Sequence, residues 1–377
     1  MENFVFKVES SDLLSALQTV KHAMGNKNNP LFYKIAFFVA KGTLTVEAAN
    51  GYMLMRKFLP VRNDNQEMKS FALHGKLFLD AVRKLDRQEL TVEVHEYQVV
   101  VNHSYGRFFL QTDDINEYTD VTSNMVQAGT YSVVETESPC LLSVLGKCKF
   151  AMADDYLRPA MSGVCLDIDD THTNFVASDG YVLMCIKKDS LSSETPAKII
   201  IPRDVVGLLT KTLPKTGFVS VTYSEGVMCG IRLDDTEYLF KRVDGRYPNY
   251  GSVIPTHFTQ SVKVDRTELL GSIGRLVLFS NNKKFRMCFA NDTLKLSSLG
   301  EDNGADETLK ISYQGEDFRI AFNGESFVKT LKNIGNSSEV VVKFSGANGA
   351  AIIEPVTQPQ YEEVSVLLIP MYDSQTE

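Results

Sequence analysis

The sequence predicts an α+β protein made of three tandem copies of one unit, each with two helices laid against antiparallel sheet. Three observations carry this. The 377 residues exceed one ordinary core and suit two or three domains of ~100–200 residues each. Leu13-Leu14 in Ser11-Asp-Leu-Leu-Ser-Ala-Leu recurs as Leu141-Leu142 in Pro139-Cys-Leu-Leu-Ser-Val-Leu and as Leu269-Leu270 in Thr267-Glu-Leu-Leu-Gly-Ser-Ile, two steps of 128 residues. Asn50-Gly-Tyr-Met-Leu-Met returns as Asp179-Gly-Tyr-Val-Leu-Met, a step of 129, without a clear third copy. A repeat of this length sets the architecture, and the expected domains are 1–128, 129–255 and 256–377.

Each copy runs through its elements in one order. A strand (Val5 to Val8, Tyr131 to Val134, Ser261 to Val264) leads into an amphipathic helix starting near Ser11, Ser138 or Asp265, residue types that suit an N-cap. Alternating strand patterns follow, then a second helix over Gly75 to Asp86, Pro202 to Leu213 and Glu325 to Ile334, the middle one with proline at its start. A hairpin closes each copy. Leu90, Val92 and Val94 alternate before a turn near His95 to Gln98; Val219, Val221 and Tyr223 do so before Ser224-Glu-Gly; Val340, Val342 and Phe344 do so before Ser345-Gly-Ala-Asn-Gly. Runs of strands broken by only two helices place the helices on one sheet face and leave the other to solvent.

Composition narrows the class. Apolar residues make up 44% and charged residues 23%, with 24 Gly and 12 Pro, which fits a soluble globular chain and excludes disordered, collagen-like and coiled-coil classes. The longest apolar runs, such as Phe37 to Ala40 and Val364 to Pro370, fall far short of the ~20 residues of a membrane span. The first residues lack a signal-peptide pattern, so a cytoplasmic protein with no membrane partner is expected. Six cysteines without any C-x-x-C pair read as reduced, mostly buried thiols.

Charge is unevenly placed. Six helix segments (11–27, 74–87, 139–153, 202–215, 265–284 and 323–335) are each net positive and together carry +10, which leaves −18 on the other 284 residues of a −8 chain. Placed on a wheel from Lys76, Asp80, Arg83 and Arg87 share one side, with Leu77, Phe78, Ala81, Val82 and Leu85 opposite. Lysine and arginine are good helix formers, so a single basic helix face means little. Six such faces on one side of an assembly would attract polyanions.

Local catalytic motifs are missing. No P-loop, dinucleotide fingerprint, H-E-x-x-H, nucleophile elbow or EF-hand loop occurs, and His74-Gly-Lys76 lacks the upstream glycine of a P-loop. Asp167, Asp169 and Asp170, or Asp113 and Asp114, could hold a divalent metal, although their places at strand ends suit turn residues. These carboxylates leave a metal-dependent nucleic-acid enzyme as one reading, and a scaffold that does not bind DNA is another.

Several segments together resemble the bacterial sliding clamps, the β subunits of DNA polymerase III: Phe150-Ala-Met-Ala-Asp-Asp-Tyr-Leu-Arg-Pro-Ala-Met-Ser-Gly-Val, Ala177-Ser-Asp-Gly-Tyr-Val-Leu, Lys241-Arg-Val-Asp-Gly-Arg-Tyr-Pro-Asn-Tyr, Phe279-Ser-Asn-Asn-Lys-Lys-Phe-Arg, Phe322-Asn-Gly and Ile369-Pro-Met. The likeness runs from the first strand to Tyr372. It implies a non-catalytic processivity factor of chromosomal replication without a cofactor or metal. Its homodimeric ring would encircle double-stranded DNA without sequence specificity and dock the replicative polymerase, clamp loader and repair polymerases through a short peptide motif. The resemblance also implies pore residues at Lys21, Lys27, Lys76, Arg83, Arg87, Lys147, Lys149, Arg203, Lys211, Arg275, Lys329 and Lys332. It implies an apolar peptide pocket at Met161, Ser178, Gly180, Tyr181, Val182, Leu183, Pro248, Val253, Phe285, Asn323, Leu367, Leu368, Ile369, Pro370 and Met371. Ring closure would bring Phe108 and Leu110 of one subunit to Leu278 and Phe279 of the other. Ser252, where a basic residue is frequent, and the tail from Asp373 to Glu377 depart from the family pattern.

Overall fold

The computed structural model describes residues 4–25, 30–63, 67–125, 132–155, 157–223, 228–299, 303–313 and 315–373. The first copy contains β1 (Phe4–Glu9), α1 (Ser10–Val20), β2 (Lys34–Ala40), β3 (Thr43–Ala49), β4 (Met53–Pro60), β5 (Lys69–His74), α2 (Gly75–Val82), β6 (Glu89–Val94), β7 (Gln98–His103), β8 (Gly106–Gln111) and α3 (Ile115–Ser123). The second contains β9 (Ser132–Glu137), α4 (Ser138–Cys148), β10 (Gly163–Ile168), β11 (Thr173–Ser178), β12 (Val182–Lys188), β13 (Ala197–Pro202), α5 (Arg203–Thr212), β14 (Phe218–Tyr223), β15 (Met228–Arg232) and β16 (Thr236–Lys241). The third contains β17 (Gln260–Asp265), α6 (Arg266–Leu276), β18 (Lys284–Ala290), β19 (Thr293–Leu299), β20 (Gly304–Lys310), β21 (Phe318–Asn323), α7 (Gly324–Asn333), β22 (Glu339–Phe344), β23 (Ala351–Pro355) and β24 (Glu362–Leu368).

Every copy thus has the expected order, with three local departures. Ser11 caps nothing: it is the second residue of α1, whose N-cap is Glu9 without a side-chain bond. The Ser10 hydroxyl instead donates to Asp86 O (2.9 Å) and accepts from Gln88 N (3.0 Å). Ser138 is the first helical residue of α4, whereas Asp265 does cap α6, accepting from the Thr267 and Glu268 amides at 2.8 Å. Helix α3 was not expected, because only Tyr118 and Thr122 of its nine residues are buried and so few apolar positions leave no helical period to read.

All strand pairs are antiparallel, and the sheets do not respect the copies. Four-stranded sheets β1-β6-β7-β8 and β20-β19-β18-β21 are each drawn from one copy, while two eight-stranded sheets, β5-β2-β3-β4-β16-β15-β14-β9 and β13-β10-β11-β12-β24-β23-β22-β17, are each shared by two. The compact units follow the sheets. One unit holds Met1–Ser138 with Thr216–Arg242, and the other Pro139–Lys215 with Val243–Glu377, so the middle copy is divided.

The two sharing junctions use one register. Leu54 lies opposite Leu239 where β4 meets β16, and Leu183 opposite Leu367 where β12 meets β24. The repeated Asn-Gly-Tyr and Asp-Gly-Tyr turns end both junctions alike: Lys241 N donates to Tyr52 O (2.8 Å) and Ile369 N to Tyr181 O (2.9 Å). A third such turn would fall on 300–302, outside the described residues. Strands β8 and β20 occupy the corresponding positions in the first and third copies and are terminal in their sheets. β20 alternates between exposed and half-buried residues along its whole length.

Burial follows strand alternation and helix period. In the first unit Phe6 and Val8 of β1 are buried with Val92 and Leu90 opposite them on β6, and α1 packs on β1 and on α2, the two helices burying Leu13, Leu17, Phe78 and Val82; Phe37 stacks on Phe71 and meets Phe78 edge-on at 5.7 Å. In the second unit Phe327 of α7, in the place of Phe78, meets Phe285 and Phe322 at 5.4 and 5.6 Å. Leu77 is 58% exposed, so the wheel placed it on the wrong face of α2. Among the described residues, all six cysteines are free and four are buried.

Candidate functional site

Helix surfaces supply the cationic groups. Lys21, Lys76, Arg83 and Arg87 in the first unit, and Lys149, Lys211, Arg275, Lys329 and Lys332 in the second, are exposed, because the apolar stripe of each helix faces the sheets and leaves the long charged chains in water. Lys27 lies outside the described residues. Two other expected cations are occupied. Lys147 and Lys188 both pair with Glu362, which is 6% exposed. Arg203 donates to the Met152 and Ala153 carbonyls (2.8 and 2.7 Å) and fastens the start of α5. Both side chains are structural ties. Arg275 is exposed but forked onto Glu307 of β20, with two 2.7 Å bonds that hold the Glu307 carboxyl below its ordinary range.

A second surface surrounds Tyr181 in the second unit. Asp179 Oδ1 accepts from the Tyr181 and Val182 amides at 2.8 Å, making a tight turn. Gly180 sits in it at φ +94°, where a Cβ would come within 3.0 Å of the Arg158 guanidinium. The turn presents Tyr181, 70% exposed, and its carbonyl holds Ile369, 41% exposed. Beneath lie buried Leu183, Leu367, Cys165, Val176 and Tyr247, with Ala160 and Ile254 packed against them. Pro248 and Val253 are exposed, and Met161, Pro370 and Met371 half-buried. Ser178 closes the turn by donating to Val182 O at 2.8 Å.

Four of the expected pocket residues have structural roles of their own in the fold. Val182 and Leu368 pair across β12 and β24 but, by strand alternation, face away from the Leu183–Leu367 cluster. Phe285 is 1% exposed in the aromatic core under α7. Asn323 caps α7, accepting from Ser326 N at 3.0 Å. Leu157, which is exposed, and Arg158 lie within the first segment of the resemblance, and Asp373 opens the tail, all in the same unit; the sequence assigns none of the three to a site, because nothing in it places them beside the Tyr181 turn.

The terminal strands form the third feature. Phe108 is half-buried against the His103 ring at 4.5 Å, Leu110 is buried, and Arg107 covers the exposed Phe109 at 4.7 Å. Leu278 and Phe279, on the 3₁₀ turn after α6, are 80% and 43% exposed.

Family comparisons decide what these features belong to. Residues 4–122, 135–249 and 251–372 match the N-terminal, central and C-terminal domains of the DNA polymerase III beta subunit. The chain belongs to that family. Its curated relatives are beta sliding clamps, including those of Vibrio cholerae (27% identical, covering 93% of this chain and 96% of the relative) and Treponema pallidum (25%, covering 92% and 95%). The fold is that of the Pseudomonas aeruginosa sliding clamp solved with griselimycin (TM-score 0.87, 21% identity, 99% of this chain and 100% of that one) and of the Bacillus subtilis clamp (0.86, 19%, 99% and 100%). The chain is a sliding clamp of DNA replication, a non-catalytic processivity factor that works with DNA and polymerase.

The carboxylates of the alternative enzyme have other work in this clamp. Asp167 accepts from Lys198 (2.8 Å) and from the Tyr250 hydroxyl (2.7 Å). Asp169 accepts from Thr171 N and His172 N within its turn. Asp113 lies 3.5 Å from Lys34, and Asp114 caps α3. Among the described residues no three His, Cys, Asp or Glu converge as a metal site would require, and no helix is long and apolar enough to cross a membrane. Burial pushes the Cys165 and Cys185 thiols up to about 12 and Cys229 to about 11, away from nucleophilic use.

Proposed function

We propose that two copies of this clamp, each of three domains (1–128, 129–255, 256–377), join head to tail, β8 of each to β20 of the other. The ring so closed lets duplex DNA slide through it in the cytoplasm. The exposed helix cations would meet phosphates, whose attraction carries no base information and therefore permits movement along the duplex. The replicative polymerase, the loader and repair polymerases would dock by a short peptide laid on the apolar surface around Tyr181, Leu183, Leu367 and Ile369, where griselimycin would also bind.

The shared junction register is the observation that carries the ring. Val99, Cys229 and Ala351 lie opposite Leu110, Phe240 and Leu368, which makes those three equivalent; Ala49, Ser178 and Leu299 likewise make Leu54, Leu183 and Gly304 equivalent. Carrying the two internal junctions over to a third sets Gly304 opposite Phe109 of the partner subunit, Ala305 opposite the partner's Phe108 and Asp306 opposite the partner's Arg107. The last pair repeats the Arg56–Glu237 ion pair of the first junction with the charges exchanged. The 3₁₀ turn after α4 packs on α7; the equivalent turn would bring Leu278 and Phe279 to α2 of the partner subunit, where Leu77 is exposed. Pairing would bury two otherwise open sheet edges, and two head-to-tail contacts close a dimer.

Retention on DNA tests this reading. The protein assembled on a nicked circle should survive a high-salt wash and be shed once the circle is cut. Salt-sensitive binding that ignores the topology of the DNA would reject threading.

A further inference from the structure

The tail beyond the family likeness carries a group that neither helix cations nor peptide docking has used. Asp373 is 4% exposed. Its carboxylate is gripped on both oxygens by Arg286, through Nε and through Nη2 at 2.8 Å, and on Oδ1 by Lys284 Nζ at 2.9 Å. Lys284 Nζ also donates to Tyr372 O at 2.9 Å. Both cations stand on the side of β18 opposite its buried Phe285 and Met287, so alternation has aimed them at the tail rather than at the helices. The charges hold Asp373 far below the ordinary carboxylate range, so the bridge is intact at neutral pH.

The segment between this bridge and β24 is tied at each step. Ile369 N donates to Tyr181 O and Met371 N to Ala321 O of β21, 2.9 and 2.8 Å. Residues 369–373 therefore cross from the edge of the docking surface to the four-stranded sheet of the third copy, and Asp373 is the peg at the far end. We propose that Asp373, bridged to Arg286 and Lys284, is a positioning residue that holds Ile369, Pro370 and Met371 as a preformed wall of the peptide-docking surface. An unpegged segment would have to be ordered when a peptide binds, which weakens affinity. The inference rests on the docking surface proposed above.

Griselimycin binding to the 377-residue chain provides the test, alongside amide hydrogen exchange. Asp373→Ala and the milder Asp373→Asn should weaken griselimycin by about tenfold, chiefly through faster dissociation, as loss of preorganisation does. Exchange at Ile369 and Met371 should quicken while β12 and β24 stay protected. The charge-exchanged variant Asp373→Arg with Arg286→Asp should recover affinity, which a general loss of stability would not permit. Tyr181→Ala serves as the control for the surface itself. If Tyr181→Ala weakens binding and neither Asp373 variant does, the peg is overturned and the surface stands. If griselimycin is indifferent to all three changes, the docking surface is wrong and the inference falls with it.

Discussion

Glu47 shows how a single side chain at a junction can be both necessary and costly. It is 1% exposed, and burial raises its carboxyl above the usual range even though Arg56 Nε lies 2.6 Å away and the Tyr118 hydroxyl faces the same group. Arg56 also reaches Glu237 on the adjoining β16 at 3.2 Å. Removing one partner of a buried pair leaves an uncompensated charge, so Arg56→Ala should lose about 3–5 kcal/mol at neutral pH. The sign with pH follows from the raised carboxyl: the folded state holds a proton on Glu47 more readily than the unfolded chain does, so the defect of Arg56→Ala shrinks as pH falls into the carboxylate range. Urea unfolding at neutral and mildly acid pH checks this, and an equal loss at both would contradict it. None of this network was legible beforehand. Glu47 sits in an ordinary strand pattern, its partners Arg56 and Tyr118 are 9 and 71 residues away along the chain, and Glu237, which shares Arg56 with it, is 190 away.

At the scale of elements the repeat was readable because it is local. Leu-Leu marks each first helix, and the alternating valines mark each closing hairpin. How the strands join was not, since β4 with β16 and β12 with β24 are pairings between copies that no pattern within a copy specifies. The same limit applied to the cations: residue type placed Lys76, Arg83, Lys147 and Arg203 on one footing, whereas Glu362 and two backbone carbonyls claim the last two. This yields a contrast. Lys76→Glu with Arg83→Glu should lower the slope of log affinity for DNA against log salt by about 1 for each phosphate left without its cation. Lys147→Glu should chiefly lower stability, because it sets a second carboxylate against buried Glu362. Fluorescence anisotropy across a salt series, paired with thermal melts, separates the two, and a slope unchanged in the helix α2 variant would deny those cations a place at the DNA.

For the whole molecule, family membership follows from matches across all three copies, and the ring is the step that the internal register makes specific. Phe58 N to Asp235 O and Lys241 N to Tyr52 O mark the hydrogen-bonded pairs of the first junction, so Met55 and Tyr238 lie between them as a non-hydrogen-bonded pair. Ala305 and Phe108 of the partner subunit are their equivalents. Such pairs stand ~4.5 Å apart at Cα, within disulfide reach. The most direct measurement is therefore the product of oxidising a chain that carries Phe108→Cys and Ala305→Cys together. The account predicts a covalent species of twice the 42.1 kDa chain mass, with both engineered thiols of each chain consumed, and no such product from either single substitution. A ladder of longer polymers, or a chain left monomeric, would contradict a closed two-membered ring.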